Sequence, residues 1–435
     1  MVRNVPNIFK IPDLRKRILF TLAMVVVYRL GTHIPTPGLN PQALKLFLES
    51  VRGTFFGLYD IFVGGALSRA SVFALGIMPY ISASIIFQLL GAVFPKIEKL
   101  QRDEEGRKKI NQWTRYLTVL LAIIQATSIS IYLENQPITS AGPIIILPGL
   151  LFRFITVLTL TAGTIFVMWI SELITDRGLG NGASFIIFVG CLDETPRAIA
   201  QTYQLVRVGE LSLFSLILLG AVIFFVYAGV VLITQAARKI PVQYPKRIIG
   251  RRMYGGQSTY IPLRINTAGV IPIIFAQSVV VFPSTLTTFF NVPALNVVKE
   301  IFSPGGWLYN LAYAALIIFF TYFYTSVVFN PRDLAENMQR YGGFIPGIRP
   351  GEKTAEYLDR SLTLITFPGA LFLVFMALLP VYLMHTFKIP FYFGGTTLLI
   401  IVGVALDTIQ QIESHLLMRH YEGLIKGIRI KGRRF

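Results

Sequence analysis

The sequence predicts an all-α polytopic membrane protein, with ten spanning helices in two five-helix halves of inverted topology. Three observations predict it. Hydrophobic residues make up 54% of the 435-residue chain, mean hydropathy is +0.62 and 14% of residues are charged, against about 25% in soluble domains. Ten apolar runs approach the roughly 20 residues that a hydrocarbon core about 30 Å thick requires, at 17–34, 72–94, 113–133, 150–171, 182–201, 212–234, 268–289, 308–329, 362–384 and 394–416. Runs such as LSLFSLILLGAVIFFVYAGVVLI do not alternate polar with apolar residues as a lipid-embedded barrel strand must, so the spans are helical.

Taken in order, the first element is the uncleaved first helix. MVRNVPNIFKIPDLRKR places basic residues before it but no small-residue cleavage site within reach. The second span is preceded by FVGGALSRASVFALGIMPYI (62–81), apolar yet interrupted by Gly64-Gly65, Arg69 and Pro79. Irregular backbone at membrane depth is tolerated only where it is buried in protein or lines a cavity. Residues 55–66 are too short to span. They fit a short helix entering from outside, broken at Gly64-Gly65 and followed by a full span from about 72; an amphipathic helix on the outer surface is the other reading. GLGNG at 178–182 reads as a tight turn whose Asn181 caps the fifth helix. Cys191 reads as a small buried residue on that helix, and one cysteine excludes an internal disulfide.

Two connections are long. Residues 235–267 hold seven basic and no acidic residues, with strand-like stretches around a Gly255-Gly256 turn. Residues 330–361 begin with a short helix at 331–340 and continue into a Gly/Pro-rich tip. Structureless loops of this length are uncommon unless functional. Lys and Arg cluster in alternate loops: 15–17, 96–115, 238–252 and the tail 429–434 are basic, whereas 134–149 has none, 290–307 only Lys299 and 385–393 only Lys388. Basic flanks stay in the cytosol, which places both termini and both long loops there. The +18 net charge is first a sidedness signal.

Five spans per half is an odd number, so the halves have opposite topology, as in inverted repeats with a site at their interface. An echo supports this: Gly76-Ile77-Met78-Pro79 in segment two and Gly269-Val270-Ile271-Pro272 in segment seven. Ionisable groups near the bilayer centre usually mark ion pathways. Apart from Asp407 none is clearly mid-span, and Asp407, roughly 20 Å into segment ten at 1.5 Å per residue, reads as snorkelling or capping. No H-E-x-x-H, G-x-S-x-G or G-x-x-x-x-G-K-[ST] pattern occurs, and His33, His385, His415 and His420 lie near segment ends. Neither an enzyme nor a cofactor is expected.

The blocks GGALSRASVFALGIMPYISASII (64–86), RGLGNGASFIIF (177–188), GRRMYGGQSTYIPLRINTAGVIPIIFA (250–276), VFNPRDLAENMQRYGGFIPGIRPGEKT (328–354) and IPFYFGGTTLLI (389–400) resemble the SecY family of protein-conducting channels in the bacterial translocon, over nearly the whole chain. The resemblance implies two halves, 1–202 and 203–435, around an hourglass pore. It implies a plug at 57–69, with Gly57, Leu58, Tyr59, Asp60, Ile61, Phe62, Val63, Gly64 and Gly65, and a lateral gate between segments two and seven. The family's constriction falls on Ile77, Ile81, Ile187, Ile274 and Ile400. Arg247, Arg251, Arg252 and Arg349 match positions that serve partner docking.

The partners so implied are SecE-like and SecG-like small membrane subunits, a SecA-like ATPase motor, ribosomes through their RNA, and the translocating preproteins; the loop cations also suit anionic lipid. The implied location is the bacterial inner membrane. The implied function is passage of unfolded preproteins across the membrane, with lateral release of apolar segments. A secondary transporter of a small solute is the alternative that the repeat and the broken helix also allow. Ile317 in segment eight is expected to face lipid.

Overall fold

The computed structural model describes the chain except residues 1–10, 51–59, 61–62, 137–141, 147, 210–211, 245–246, 250–251, 255–257, 268, 278, 281–305, 388–394 and 428–435. Gly57, Leu58, Tyr59, Ile61, Phe62 and Arg251 of the expected site, and the end of segment seven, therefore lie outside the described residues. Helices and strands follow in the order α1 (Pro12–Gly31), α2 (Pro41–Ser50), α3 (Met78–Val93), α4 (Pro95–Arg102), α5 (Glu104–Glu134), α6 (Leu150–Arg177), α7 (Gly182–Val208), α8 (Leu213–Gln235), β1 (Ala237–Gln243), β2 (Arg247–Ile249), β3 (Arg252–Tyr254), β4 (Ser258–Arg264), α9 (Trp307–Val328), α10 (Pro331–Arg340), α11 (Glu352–Phe387) and α12 (Gly395–Gly427). A helical run at 271–277 lies between β4 and α9, so each apolar segment carries helix. Six helices among the described residues are long and apolar enough to span; α3 and Pro95–Gln101 together have the length and composition of one more span but are bent by 116°, as in a broken span or a re-entrant loop.

The chain divides into two compact units, Met1–Arg197 with Ile400–Phe435, and Ala198–Leu399. In the first, α5 and α6 form an antiparallel pair pinned at both ends. Arg115 Nε meets Glu172 Oε1 at 2.7 Å at one end, and Arg153 Nη2 meets Glu134 Oε2 at 2.6 Å at the other. Between these pins α5 buries a stripe of small residues four apart, Thr118, Ala122, Ala126 and Ser130, which lets backbones approach where lipid offers no hydrophobic drive to associate. Thr114 and Thr118 satisfy their hydroxyls on the carbonyls four residues back. Asn181 Oδ1 accepts from the N–H groups of Ala183 and Ser184, the helix cap that the sequence predicts.

In the second unit α9 packs on α11 and buries Tyr309, Tyr313, Ile317, Phe320 and Thr321, with Tyr313 and Phe320 reaching Gln277 and Phe275 of the 271–277 run. This corrects the expectation for Ile317, which is 0% exposed; apolar side chains alone do not tell the protein-facing side of a span from the lipid-facing side. The lipid-facing surface is better represented by α8, where Phe214, Ile217, Phe224 and Phe225 are all exposed. Asn330 accepts from the Arg332 N–H and starts α10 with Pro331 in its first turn, again as expected.

The connection 235–267 is a β-structure. β1 pairs antiparallel with β4 from Ala237↔Arg264 to Gln243↔Ser258, and β2 pairs with β3 from Arg247↔Tyr254 to Ile249↔Arg252. The expected Gly255-Gly256 turn falls between β3 and β4 and lies outside the described residues.

Candidate functional site

The segment before α3 is built from turns. Gly64 and Gly65 have φ of 70° and 72°, the left-handed region that glycine enters without steric cost, so the expected break is present. The second expectation is corrected. The span expected from about 72 does not begin there: residues 72–77 are turns, and helix starts only at Met78, with Pro79 in its first turn. The Ser71 N–H bonds back to the Ala66 carbonyl, and the Thr36 and Val72 N–H groups bond to the Ala70 and Ile34 carbonyls. These bonds use the groups a helix would need and tie the segment to the end of α1.

The same segment is part of the core. Val63, Ala66, Leu67, Ala70, Ala74 and Leu75 are buried with Leu44, Phe47 and Leu160. Asp60 closes its start: its carbonyl accepts from the Gly65 N–H at 2.8 Å and its Oδ1 from the Ser68 N–H at 2.9 Å. A Cβ on Gly64 would lie 2.9 Å from the Gly190 Cα of α7, so the glycine permits direct backbone contact. The Tyr28 hydroxyl of α1 donates to the Val63 carbonyl at 3.2 Å.

An ionic cluster completes this contact. Asp193 Oδ2 on α7 takes Arg69 Nη2 at 2.6 Å and Arg29 Nη1 at 3.0 Å, with side chains about one-fifth to one-quarter exposed. Arg29 Nη2 also donates to the Val189 carbonyl at 3.2 Å. The sequence reading recognised no clearly mid-span charge except Asp407, and Arg29 and Asp193 correct it. Each lies eleven or twelve residues into its apolar run, roughly 17 Å at 1.5 Å per residue. That depth, with opposite signs, was the available signal.

The five isoleucines are all buried: Ile77 at 3%, Ile81 at 7%, Ile187 at 1%, Ile274 at 8% and Ile400 at 1% exposure. Ile77 immediately precedes α3, and the Ile81 N–H bonds to its carbonyl. Ile274 bonds in the same way to the Val270 carbonyl. Gly76 and Gly269, at the head of the two echoing motifs, have φ of 54° and 64°. The echo therefore extends from letters to backbone.

On the basic loops, Gln243 of β1 and Phe344 exchange both backbone hydrogen bonds, at 2.9 and 3.0 Å. Ile240, Val242, Leu263, Met338, Ile345 and Leu358 form one core beneath them. The two long loops thus make a single platform. Arg349 is exposed on it, and its carbonyl accepts from the Thr354 hydroxyl. Arg247 and Arg252 lie on the paired strands β2 and β3, one at each end of the short ladder. Asp407 lines a polar groove of about 300 Å³ with Gly180, Asn181, Ser184 and Gln411, where the Gly180 N–H donates to Gln411 Oε1 at 2.7 Å.

Residues 71–409 match the family model of SecY. The protein translocase subunit SecY of Aquifex aeolicus (strain VF5) is 49% identical over 421 residues, 96% of this chain and 98% of that protein. The subunit of the same name from Escherichia coli (strain K12) is 46% identical over 425 residues, 97% and 96%. A solved protein-conducting channel superposes with a TM-score of 0.63 at 17% identity, covering 94% of this chain and 96% of that one. Sec61 in the canine ribosome–channel complex from the endoplasmic reticulum superposes at 0.60 and 16%, with the same coverages. Those distant structures share its fold, and the near full-length identity to curated relatives goes further: the chain belongs to the SecY family.

Proposed function

We propose that this protein is the central channel of a protein translocase, passing unfolded preproteins across the membrane and releasing apolar segments sideways into lipid. The observation that carries the reading is a re-entrant segment, broken at Gly64-Gly65 and packed on α7, immediately before a helix headed by Ile77 and Ile81. Relatives of almost the same length are named as translocase subunits. The halves 1–202 and 203–435 surround the pore, residues 57–69 act as the plug, and Ile77, Ile81, Ile187, Ile274 and Ile400 form the constriction. β-Branched side chains are stiff and offer water and ions no hydrogen bonds, so such a ring seals by dewetting without gripping the passing chain. No residue is assigned a catalytic role.

The protein sits in the bacterial inner membrane with both termini cytosolic, beside SecE-like and SecG-like subunits. The platform carrying Arg247, Arg251, Arg252 and Arg349 docks ribosomes and a SecA-like motor, since guanidinium groups pair bidentately with phosphate and carboxylate. Ribosome-bound complexes of the distant structural neighbours Sec61 and Ssh1 agree with that choice.

Ion conductance of the purified channel in planar bilayers tests the ring. Ile81→Ser or Ile274→Ser is expected to raise the resting leak, whereas Ile124→Ser, 52% exposed on α5, is expected to leave it unchanged. Equal leak from both classes, or none from either, refutes the assignment. Because Val63 and Ala66 belong to the core, the plug is best shortened within 57–62, and a tight channel after that deletion refutes the plug.

A further inference from the structure

We propose that Asp193 is the anchor of an ionic latch that holds the end of the plug segment on α7 and α1. The inference rests on the plug reading above and adds what keeps the plug seated. Three positions within one turn or so of α7 receive the segment and its neighbour: the Val189 carbonyl takes Arg29, Gly190 admits Gly64, and Asp193 takes both arginines. Arg69 lies on the turn segment, between Gly65 (φ 72°) and Ala70, a non-glycine residue at φ 51°. Arg29 and Asp193 lie on long helices. Of the three partners, only Arg69 sits on an element that can leave by re-setting turns.

The charge balance makes the contact switchable. Two guanidinium groups share one carboxylate, and Arg69 Nη1 is buried without a hydrogen-bond acceptor among the described residues. Guanidinium groups do not deprotonate in proteins, so the two cations have no means of neutralising themselves when the carboxylate is withdrawn. Apolar packing alone could hold the segment, and a charge at membrane depth is costly. A partly buried ion pair adds little over apolar packing while intact but is strongly destabilising when one partner is removed. That asymmetry suits a part that must be held firmly and released completely.

The test is resting conductance of the full-length reconstituted channel, with the 57–62 deletion as reference. Asp193→Asn leaves Arg29 facing Arg69 and is expected to raise the open population by roughly tenfold or more. Arg69→Gln keeps the Arg29–Asp193 pair and is expected to leak less than Asp193→Asn. The double variant Arg69→Gln/Asp193→Asn removes the facing cations and is expected to be tighter than Asp193→Asn alone. Asp193→Glu is expected to remain close to wild type. A wild-type leak for Asp193→Asn, or a double variant as leaky as the two singles summed, overturns the latch while a leaky 57–62 deletion leaves the plug reading standing. If that deletion does not leak, the plug reading and the latch fall together. Should Asp193→Asn alone fail to accumulate, recovery of yield on adding Arg69→Gln supports the latch, and no recovery overturns it.

Discussion

Segments two and seven begin with the same pattern, Gly-x-x-Pro, and the same backbone, a left-handed glycine at Gly76 or Gly269 followed by helix from Met78 or from 271. What covers the two starts is different. A Cβ on Gly76 would meet Val63 Cγ1 at 3.0 Å, whereas no described atom lies within 4 Å of the corresponding position at Gly269. The chain leading into Gly76 is the packed re-entrant segment. The chain leading into Gly269 is β4, one strand of the basic-loop platform. The two helix starts are thus alike, and what precedes them differs: a packed turn segment in one case and a strand of the basic-loop platform in the other.

The sharpest way to break this comparison is to place the same side chain at both glycines. Gly269→Val incurs the left-handed backbone penalty of roughly 1–2 kcal/mol, whereas Gly76→Val adds overpacking against Val63, together roughly 3 kcal/mol or more. Thermal unfolding in matched detergent measures the difference, and equal losses refute it. A smaller effect sharpens it. Val63→Ala is expected to recover about 1 kcal/mol in a Gly76→Ala background, within the usual coupling range of neighbours, and nothing in a Gly269→Ala background. Recovery in both backgrounds means the coupling is not local. The smallest stability effect belongs to the platform. Arg349→Glu, at an exposed position, is expected to change stability by no more than about 0.5 kcal/mol while ribosome or motor binding is lost. Unchanged binding across a range of salt makes the platform a topology signal only.

Much of the architecture was legible because it is local. The apolar runs carry helix, Asn181 and Asn330 cap where their side chains reach the next N–H groups, and Gly64-Gly65 breaks where two left-handed residues are required. The start of α3 at Met78 was not legible, because whether 66–77 continues as helix depends on which carbonyls Thr36 and Val72 compete for. Ile317 and the lipid-facing residues of α8 have the same chemistry, so only their neighbours separate them.

The sequence by itself determined the class, the apolar segments and the family, since hydropathy and motif order are properties of the chain read in one dimension. Tertiary structure decided that Arg29, Arg69 and Asp193 are one cluster, although they are separated by up to 164 positions. It also decided that the two basic loops share one core through Gln243 and Phe344. The physical reason is that burial and ion pairing act between whichever groups the fold brings within a few ångströms. A carboxylate's partner is set by that proximity, and the order of residues along the chain carries no record of it.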